Sequence, residues 1–274
     1  MERMLDKKIG IIAGKGTLPK QLIHSLLENN VKPYLVALTD ITEKETTEAV
    51  ETQWCRITAV GKIMNFFKEN NVKQLVMVGG MKRPSLASLI PDVQGLKLLN
   101  RLRKLKTAGD DKLLGTITKF LEENGFEILG VDEVVPELLP QKGVLGRVEP
   151  TKENLKDIEY GKHIAHEIGK LDIGQAVIVQ NAVTLGVEGI EGTDELITRC
   201  GPLQFDGHGA VLIKIKKPKQ DRRIDLPSIG PKTIERLHEF KFKGVVIEAG
   251  NSLILDRDVT IKKANDLGVF IYGV

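Results

Sequence analysis

The opening of the chain constrains its fold most. Lys8-Ile9-Gly10-Ile11-Ile12-Ala13 is a short apolar run, closed by Gly14-Lys15-Gly16-Thr17-Leu18-Pro19. The stretch Lys20–Asn29 then sets Leu22, Ile23, Leu26 and Leu27 on one helical face, and Pro33–Leu38 is a second apolar run. Strand, glycine turn, helix, strand is a βαβ unit, and a helical crossover returns the chain for parallel pairing.

The same alternation continues. A helix is expected over 60–70, a strand over 74–78, helices over 95–106 and 110–124 separated by Ala108-Gly109, and a strand over 127–129. Residues 1–132 therefore read as an N-terminal domain built on a Rossmann-like parallel sheet. Pro136, Pro140, Gly143, Gly146 and Pro150 then break every periodicity, so 133–150 reads as a linker. Residues 151–274 begin with a helix over 152–170. Apolar runs over 176–180 and 183–187 meet at Asn181 as a hairpin, and Gly192-Thr193-Asp194 opens a short helix through Arg199. A strand over 210–215, a helix over 231–239, strands over 244–248 and 252–255, a helix over 258–266 and a strand over 269–272 complete this part. The expected class is α/β in two domains, the C-terminal one mixed rather than doubly wound.

A net charge of +3 is too small for a general nucleic-acid binder, and 4% aromatic residues supply no base-stacking platform. Cys55 and Cys200 lack a metal-ligand spacing and read as reduced thiols. His163 and His166 stand at helical spacing but have no partner ligands in the sequence. No apolar run reaches the about 18 residues a spanning helix needs, and Ile9–Ala13 is too brief for a signal core. The expected location is the cytoplasm.

Several stretches combine residues that can carry chemistry. Gly14-Lys15-Gly16-Thr17 lies between strand and helix, where backbone N–H groups and the helix dipole favour an anion; an ordinary tight turn explains it equally. Gly79-Gly80-Met81-Lys82-Arg83-Pro84 is a second glycine-rich strand end on the same carboxyl edge, with Arg83 as a phosphate clamp or a solvated charge. In Gly109-Asp110-Asp111-Lys112, Asp110 reads as an N-cap and Asp111 as support for the helix dipole. Glu188-Gly189-Ile190-Glu191-Gly192-Thr193-Asp194 crowds carboxylates onto one turn. Asp194 falls in a first helical turn, whereas Glu188 and Glu191 call for a cation, either Lys217 and Arg223 or a divalent ion. The most charged loop is Lys217-Pro218-Lys219-Gln220-Asp221-Arg222-Arg223-Ile224-Asp225-Leu226-Pro227-Ser228-Ile229-Gly230, between a buried strand and a helix opened by Pro231. It reads as a salt-bridged solvated loop or as a phosphate and metal site.

Taken together these stretches match a known family. Ile12-Ala13-Gly14-x-Gly16-x-Leu18-Pro19, Gly80-x-x-Arg83-Pro84, Gly109-Asp110-Asp111, Leu171-Asp172-Ile173-Gly174-Gln175 and Glu191-Gly192-Thr193-Asp194 occur in its order. Lys217-Pro218-x-Gln220-x-x-Arg223-x-Asp225-Leu226-Pro227-x-Ile229-Gly230 and Glu248-Ala249-Gly250 follow. The chain resembles the UDP-2,3-diacylglucosamine pyrophosphatases of the LpxI type, of lipid A biosynthesis, over almost its whole length. One departure is Gly80-Met81, where relatives often have Asn-Val. The resemblance implies hydrolysis of a UDP-linked diacylglucosamine to UMP and the acylated sugar 1-phosphate with Mg²⁺ (or Mn²⁺), by two α/β domains that hold the substrate between them. It implies Asp225 as the catalytic residue, and a homodimer.

On that footing Lys217 and Arg223 screen the diphosphate, while Asp225 binds the ion or takes a proton from water. Glu191 and Asp194 are the next candidates for the metal. Gly14, Gly16, Thr17 and Leu18, with Gly80, Met81, Arg83 and Pro84, hold nucleotide or sugar. Gln175, Glu188, Gly192 and Thr193 complete the expected substrate contacts. Lys219, Asp221 and Arg222 are left as solvated charge. The lipid substrate implies peripheral contact with the inner membrane face. The alternatives are a UDP-sugar or nucleotide-binding regulatory protein without hydrolysis, and a phosphohydrolase acting on another nucleotide-linked substrate.

Overall fold

β1 (Lys8–Ala13) and β2 (Lys32–Leu38) pair in parallel, with Lys8 opposite Lys32 and Ala13 opposite Ala37, and α1 (Leu18–Glu28) is their crossover. The computed structural model describes residues 5–81, 90–105 and 110–274. After β2 come β3 (Glu51–Cys55), α2 (Val60–Glu69), β4 (Gln74–Val78), α3 (Val93–Arg103), α4 (Asp110–Glu123), β5 (Glu127–Leu129) and the single turn α5 (Val131–Val134). The sheet runs β3-β2-β1-β4-β5, parallel throughout. Strand order reverses direction between β1 and β4, which makes the carboxyl ends of these two strands the topological switch point. All of β2 after Lys32 is buried, as expected for a parallel strand covered on both faces. A core of Val36, Phe67, Leu75, Leu98, Phe120 and Ile128 packs β2, β4 and β5 against α2, α3 and α4.

Sequence periodicity misses β3. Its Glu51-Thr52-Gln53-Trp54-Cys55 sits at the sheet edge and buries only Cys55, so no apolar run marks it. Periodicity also starts α3 late. Asp92 is its N-cap, accepting from Gly95 N at 2.7 Å, while the other carboxylate oxygen accepts from Gly61 N at 2.8 Å and Lys62 N at 3.2 Å. One side chain thus caps both α3 and α2. α4 is described from Asp110 onward, and the expected cap at its start borders residues outside the described ones.

The remaining elements are β6 (Gly143–Val144), α6 (Lys152–Lys170), β7 (Ala176–Gln180), β8 (Val183–Val187), α7 (Thr193–Cys200), β9 (Val211–Lys214), β10 (Ser228–Ile229), α8 (Pro231–Glu239), β11 (Gly244–Ile247), β12 (Leu253–Ile254), α9 (Arg257–Leu267) and β13 (Phe270–Gly273). A mixed sheet orders them β6-β13-β11-β9-β7-β8, with β9, β11 and β13 parallel and the others antiparallel to their neighbours. Alternate residues point to opposite faces. Val177, Val179, Val211, Ile213 and Val246 meet Ile158, Ala165 and Ile168 of α6. Ile178, Leu212, Val245 and Ile247 meet Leu196, Ile234, Leu237 and Ala264 of α7, α8 and α9.

The β7–β8 hairpin turns through Asn181 and Ala182, both at positive φ (53° and 57°). Such a turn is costly for alanine. It is held by buried Asp157, which accepts from Asn181 N at 3.0 Å and Ala182 N at 2.6 Å and lies 2.7 Å from His208 Nε2. β10 pairs in parallel with β12, so the end of the charged loop is itself a strand. Residues 133–150, expected as a linker, include β6, whose Val144 pairs with Tyr272 of β13. Two residues at a sheet edge need no apolar period, which is why proline and glycine hid them.

The chain forms two compact units. Met1–Pro136 groups with Asp221–Asp225, and Glu137–Gln220 groups with Leu226–Val274.

Candidate active site

At the switch point of the first unit the two glycine-rich strand ends are joined backbone to backbone. Gly14 N donates to Val78 O at 2.8 Å, Lys15 N donates to Gly80 O at 2.8 Å, and Gly80 N donates to Lys15 O at 2.9 Å. Glycine is needed for this approach: a Cβ at Gly14 would lie 2.6 Å from Gly80 O, and Gly79 adopts φ +97° with its Cβ position 2.8 Å from Lys15 O. The next amide, Gly16 N, donates to the Glu43 carboxylate at 3.1 and 3.2 Å. The amides of Gly14, Lys15 and Gly16 are therefore engaged. A phosphate seated on Gly16 has to displace Glu43, a residue sequence reading passed over because it lies in the irregular segment between β2 and β3.

Thr17 precedes α1 and its hydroxyl accepts from Gln21 Nε2 at 3.1 Å; Leu18 opens the helix half-buried. Gly80 and Met81 are exposed. Arg83 and Pro84 lie outside the described residues.

The segment Asp221–Asp225 is ion-paired while its side chains stay open to solvent. Asp221 accepts from Arg223 through both oxygens, at 3.1 Å from Nε and 2.7 Å from Nη2, and also from Arg223 N at 3.0 Å. Arg223 Nη1 donates to Glu122 of α4 at 2.7 Å, and Arg222 Nη2 donates to Asp132 of α5 at 2.5 Å. Asp221, then Glu122, hold the Arg223 guanidinium charged well beyond its ordinary range. Asp221 and Arg222, expected as solvated charge, do remain open to solvent, and each also has an ion-pair partner. Asp225 N donates to Asp221 O at 3.3 Å, and the Asp225 side chain is exposed at the end of this turn.

In the second unit the carboxylates of the 188–194 turn are satisfied locally. Glu188 is 6% exposed and accepts from Gln175 N at 3.0 Å and from Thr193 Oγ1 at 2.6 Å. Glu191 accepts from Arg199 at 2.8 Å (Nη2) and 3.2 Å (Nε) and from Gly189 N at 3.0 Å. A cation expected beside Glu191 is supplied by Arg199, at the end of α7. Arg199 holds the Glu191 carboxyl below its usual range.

Lys217 Nζ donates to Asp172 at 2.7 Å. Gly192, at φ +83°, precedes α7, and Asp194 lies in that helix's first turn, where its charge suits the dipole. The Gln175 side-chain oxygen is buried with no hydrogen-bond partner among the described residues, leaving an acceptor for a donor group. Glu248 accepts from Lys216 N at 3.1 Å and Asn251 Nδ2 at 2.9 Å, which anchors the start of the charged loop.

Among the described residues no group of three or more His, Cys, Asp and Glu side chains is placed to hold an ion. Glu191 is already committed to Arg199. Of the three expected metal residues, Glu191 and Asp194 belong to one compact unit and Asp225 to the other. A single exposed carboxylate, Asp225, does fit the habit of magnesium, which uses one or two carboxylates, substrate phosphates and waters. Among the described residues, no helix is long and apolar enough to cross a membrane.

A parallel sheet with two glycine-rich ends at its switch point, joined to a mixed α/β unit and carrying a charged loop that ends in an exposed aspartate, defines an α/β protein of the ligand-binding kind. Residues 8–138 match the LpxI N-terminal domain and residues 141–272 the LpxI C-terminal domain. The chain belongs to the LpxI family. It is 36% identical to the UDP-2,3-diacylglucosamine pyrophosphatase LpxI of Caulobacter vibrioides, over 98% of this chain and 98% of that protein.

Proposed function

We propose that this protein is an enzyme that hydrolyses the pyrophosphate bond of UDP-2,3-diacylglucosamine, giving UMP and 2,3-diacylglucosamine 1-phosphate in lipid A synthesis. The observation that carries this reading is the 36% identity, along 98% of both chains, to a pyrophosphatase of that name. In the reaction a water oxygen bonds to phosphorus, the bridging P–O bond breaks, the departing group leaves as a phosphate, and a proton is released from the water. Catalysis then depends on screening phosphate charge and positioning water.

Asp225 is the catalytic carboxylate of this reading. It is exposed, and its backbone is fixed by the Asp221 turn. Arg223, oriented by Asp221 and Glu122, is the residue of this reading that meets the diphosphate. Asp225 would hold Mg²⁺ (or Mn²⁺), and the ion would supply neutralisation of phosphate charge. The switch-point turn at Gly14–Leu18 and the strand end at Gly80-Met81 receive nucleotide or sugar, with Glu43 yielding Gly16 N. Gln175, Gly192, Thr193 and Lys217 are the further substrate contacts of this reading, and Glu188 orders Gln175 and Thr193. Leu171, Ile173 and Ile190 are exposed apolar side chains suited to acyl chains or to a membrane surface. Peripheral membrane contact and a homodimer belong to this reading.

The test is incubation with UDP-diacylglucosamine and Mg²⁺, with UMP as the product measured. UMP release at enzymatic rate is expected. Saturable binding of the UDP-sugar with no UMP formed would make the protein a nucleotide-binding regulator instead.

A further inference from the structure

Asp132 has no part in the motifs that mark the family, yet its environment is unusual for a carboxylate. It follows β5 on the carboxyl edge of the parallel sheet, in α5, which packs on α1 and β4. Its side chain is 6% exposed. One oxygen accepts from Arg222 Nη2 at 2.5 Å, and the other is buried with no hydrogen-bond partner among the described residues. That second oxygen lies against Gly130, where a Cβ would come within 2.4 Å of it and 3.3 Å from Arg223 Cα. A buried carboxylate satisfied on one side is expensive unless its cation stays in place. The cation here comes from a residue 90 positions later, in the segment that ends at Asp225.

We infer that Asp132 is a positioning residue for Asp225: through Arg222 it clamps the Asp221–Asp225 turn to the carboxyl edge of the first unit, next to the switch point. Two further contacts make the clamp directional. Arg223 is tied to Glu122 on α4, and Asp221 closes the turn back onto Arg223. Arg222 and Arg223 are neighbours that hold different helices, so the turn is fixed at two points and cannot pivot about either one. Asp225 inherits that placement through its backbone bond to Asp221. The assignment gives Arg222 a role that composition alone would call solvated charge.

The inference rests on the proposed hydrolysis for its catalytic meaning, so the experiment has one readout that does not use turnover. Asp132→Asn, Arg222→Ala and the double variant are compared with the wild-type protein. Amide hydrogen exchange is followed across residues 219–226, and kcat and KM are measured with UDP-diacylglucosamine. In all three variants exchange in that segment is expected to quicken about tenfold while the sheet amides of β1 and β4 keep their protection. Turnover is expected to fall by about tenfold to a hundredfold in kcat with little change in KM, as for a misplaced catalytic group.

Arg222→Ala alone is expected to be the least stable of the three, because it leaves the buried carboxylate unpaired, and the double variant to regain stability without regaining kcat. Wild-type exchange in 219–226 in the double variant, or full kcat once stability is regained, would overturn the inference. If the wild-type protein itself releases no UMP, the functional reading fails, and the exchange result alone decides whether Asp132 holds the turn.

Discussion

Arg199, Arg222 and Arg223 show how a residue's role is decided by what folding brings to it. In the sequence, Arg222 and Arg223 are adjacent charges in one loop. In the fold they hold Asp132 and Glu122, partners 90 and 101 positions away. No local pattern encodes such distances, whereas the Asp221–Arg223 pair is local. Glu188 illustrates the converse, since a crowded carboxylate need not await an ion when it accepts from a backbone amide and a hydroxyl. Replacing Glu188 with alanine leaves Gln175 N–H without its acceptor and is expected to cost about 1–3 kcal/mol, read from urea unfolding.

Glu191 yields a prediction in pH. Arg199, and then backbone amides, lower its carboxyl below the unfolded value. Its contribution to stability is therefore present above the ordinary carboxylate range and is lost as pH falls through the folded value. The pair is on the surface, so the effect on stability is small. An NMR titration of the Glu191 carboxyl is expected to show a midpoint below that of an exposed glutamate, and Arg199→Ala to move it upward.

At the scale of elements, apolar runs made the parallel sheet legible because a strand covered on both faces has to be apolar throughout, as β2 is. The runs at Lys8–Ala13 and Gln74–Val78 gave β1 and β4, which flank the switch point, and Pro33–Leu38 gave β2 beside β1. The strands without such runs, β3, β6 and β10, are edge or two-residue elements whose existence depends on a neighbour already being in place. The glycines at the switch point were legible as a turn, but their reason lay in the fold: Gly14 and Gly79 let two strand ends bond to each other. Gly14→Ala is expected to push Gly80 away from Lys15 and to lower stability by about 1–3 kcal/mol, measured as a fall in the thermal midpoint.

At the scale of the whole molecule, a chain order that crosses between units explains why Asp225 was easy to select and hard to place. The family motif marks the residue, while the units divide the charged loop so that Asp221–Asp225 groups with residues far earlier in the chain. The metal belongs to this scale too. In the proposed reaction magnesium acts with the substrate and not in the fold. Chelator is therefore expected to stop UMP release while leaving the thermal midpoint unchanged.

The central claim is that Asp225 is the catalytic carboxylate of the proposed hydrolysis. It is tested most directly by single-turnover UMP formation from UDP-diacylglucosamine in wild-type protein and in Asp225→Asn, with substrate affinity and thermal midpoint measured on the same samples. The account predicts a loss of about a hundredfold or more in the rate, with affinity and midpoint close to wild type. A rate near that of the wild type in the folded variant would contradict it.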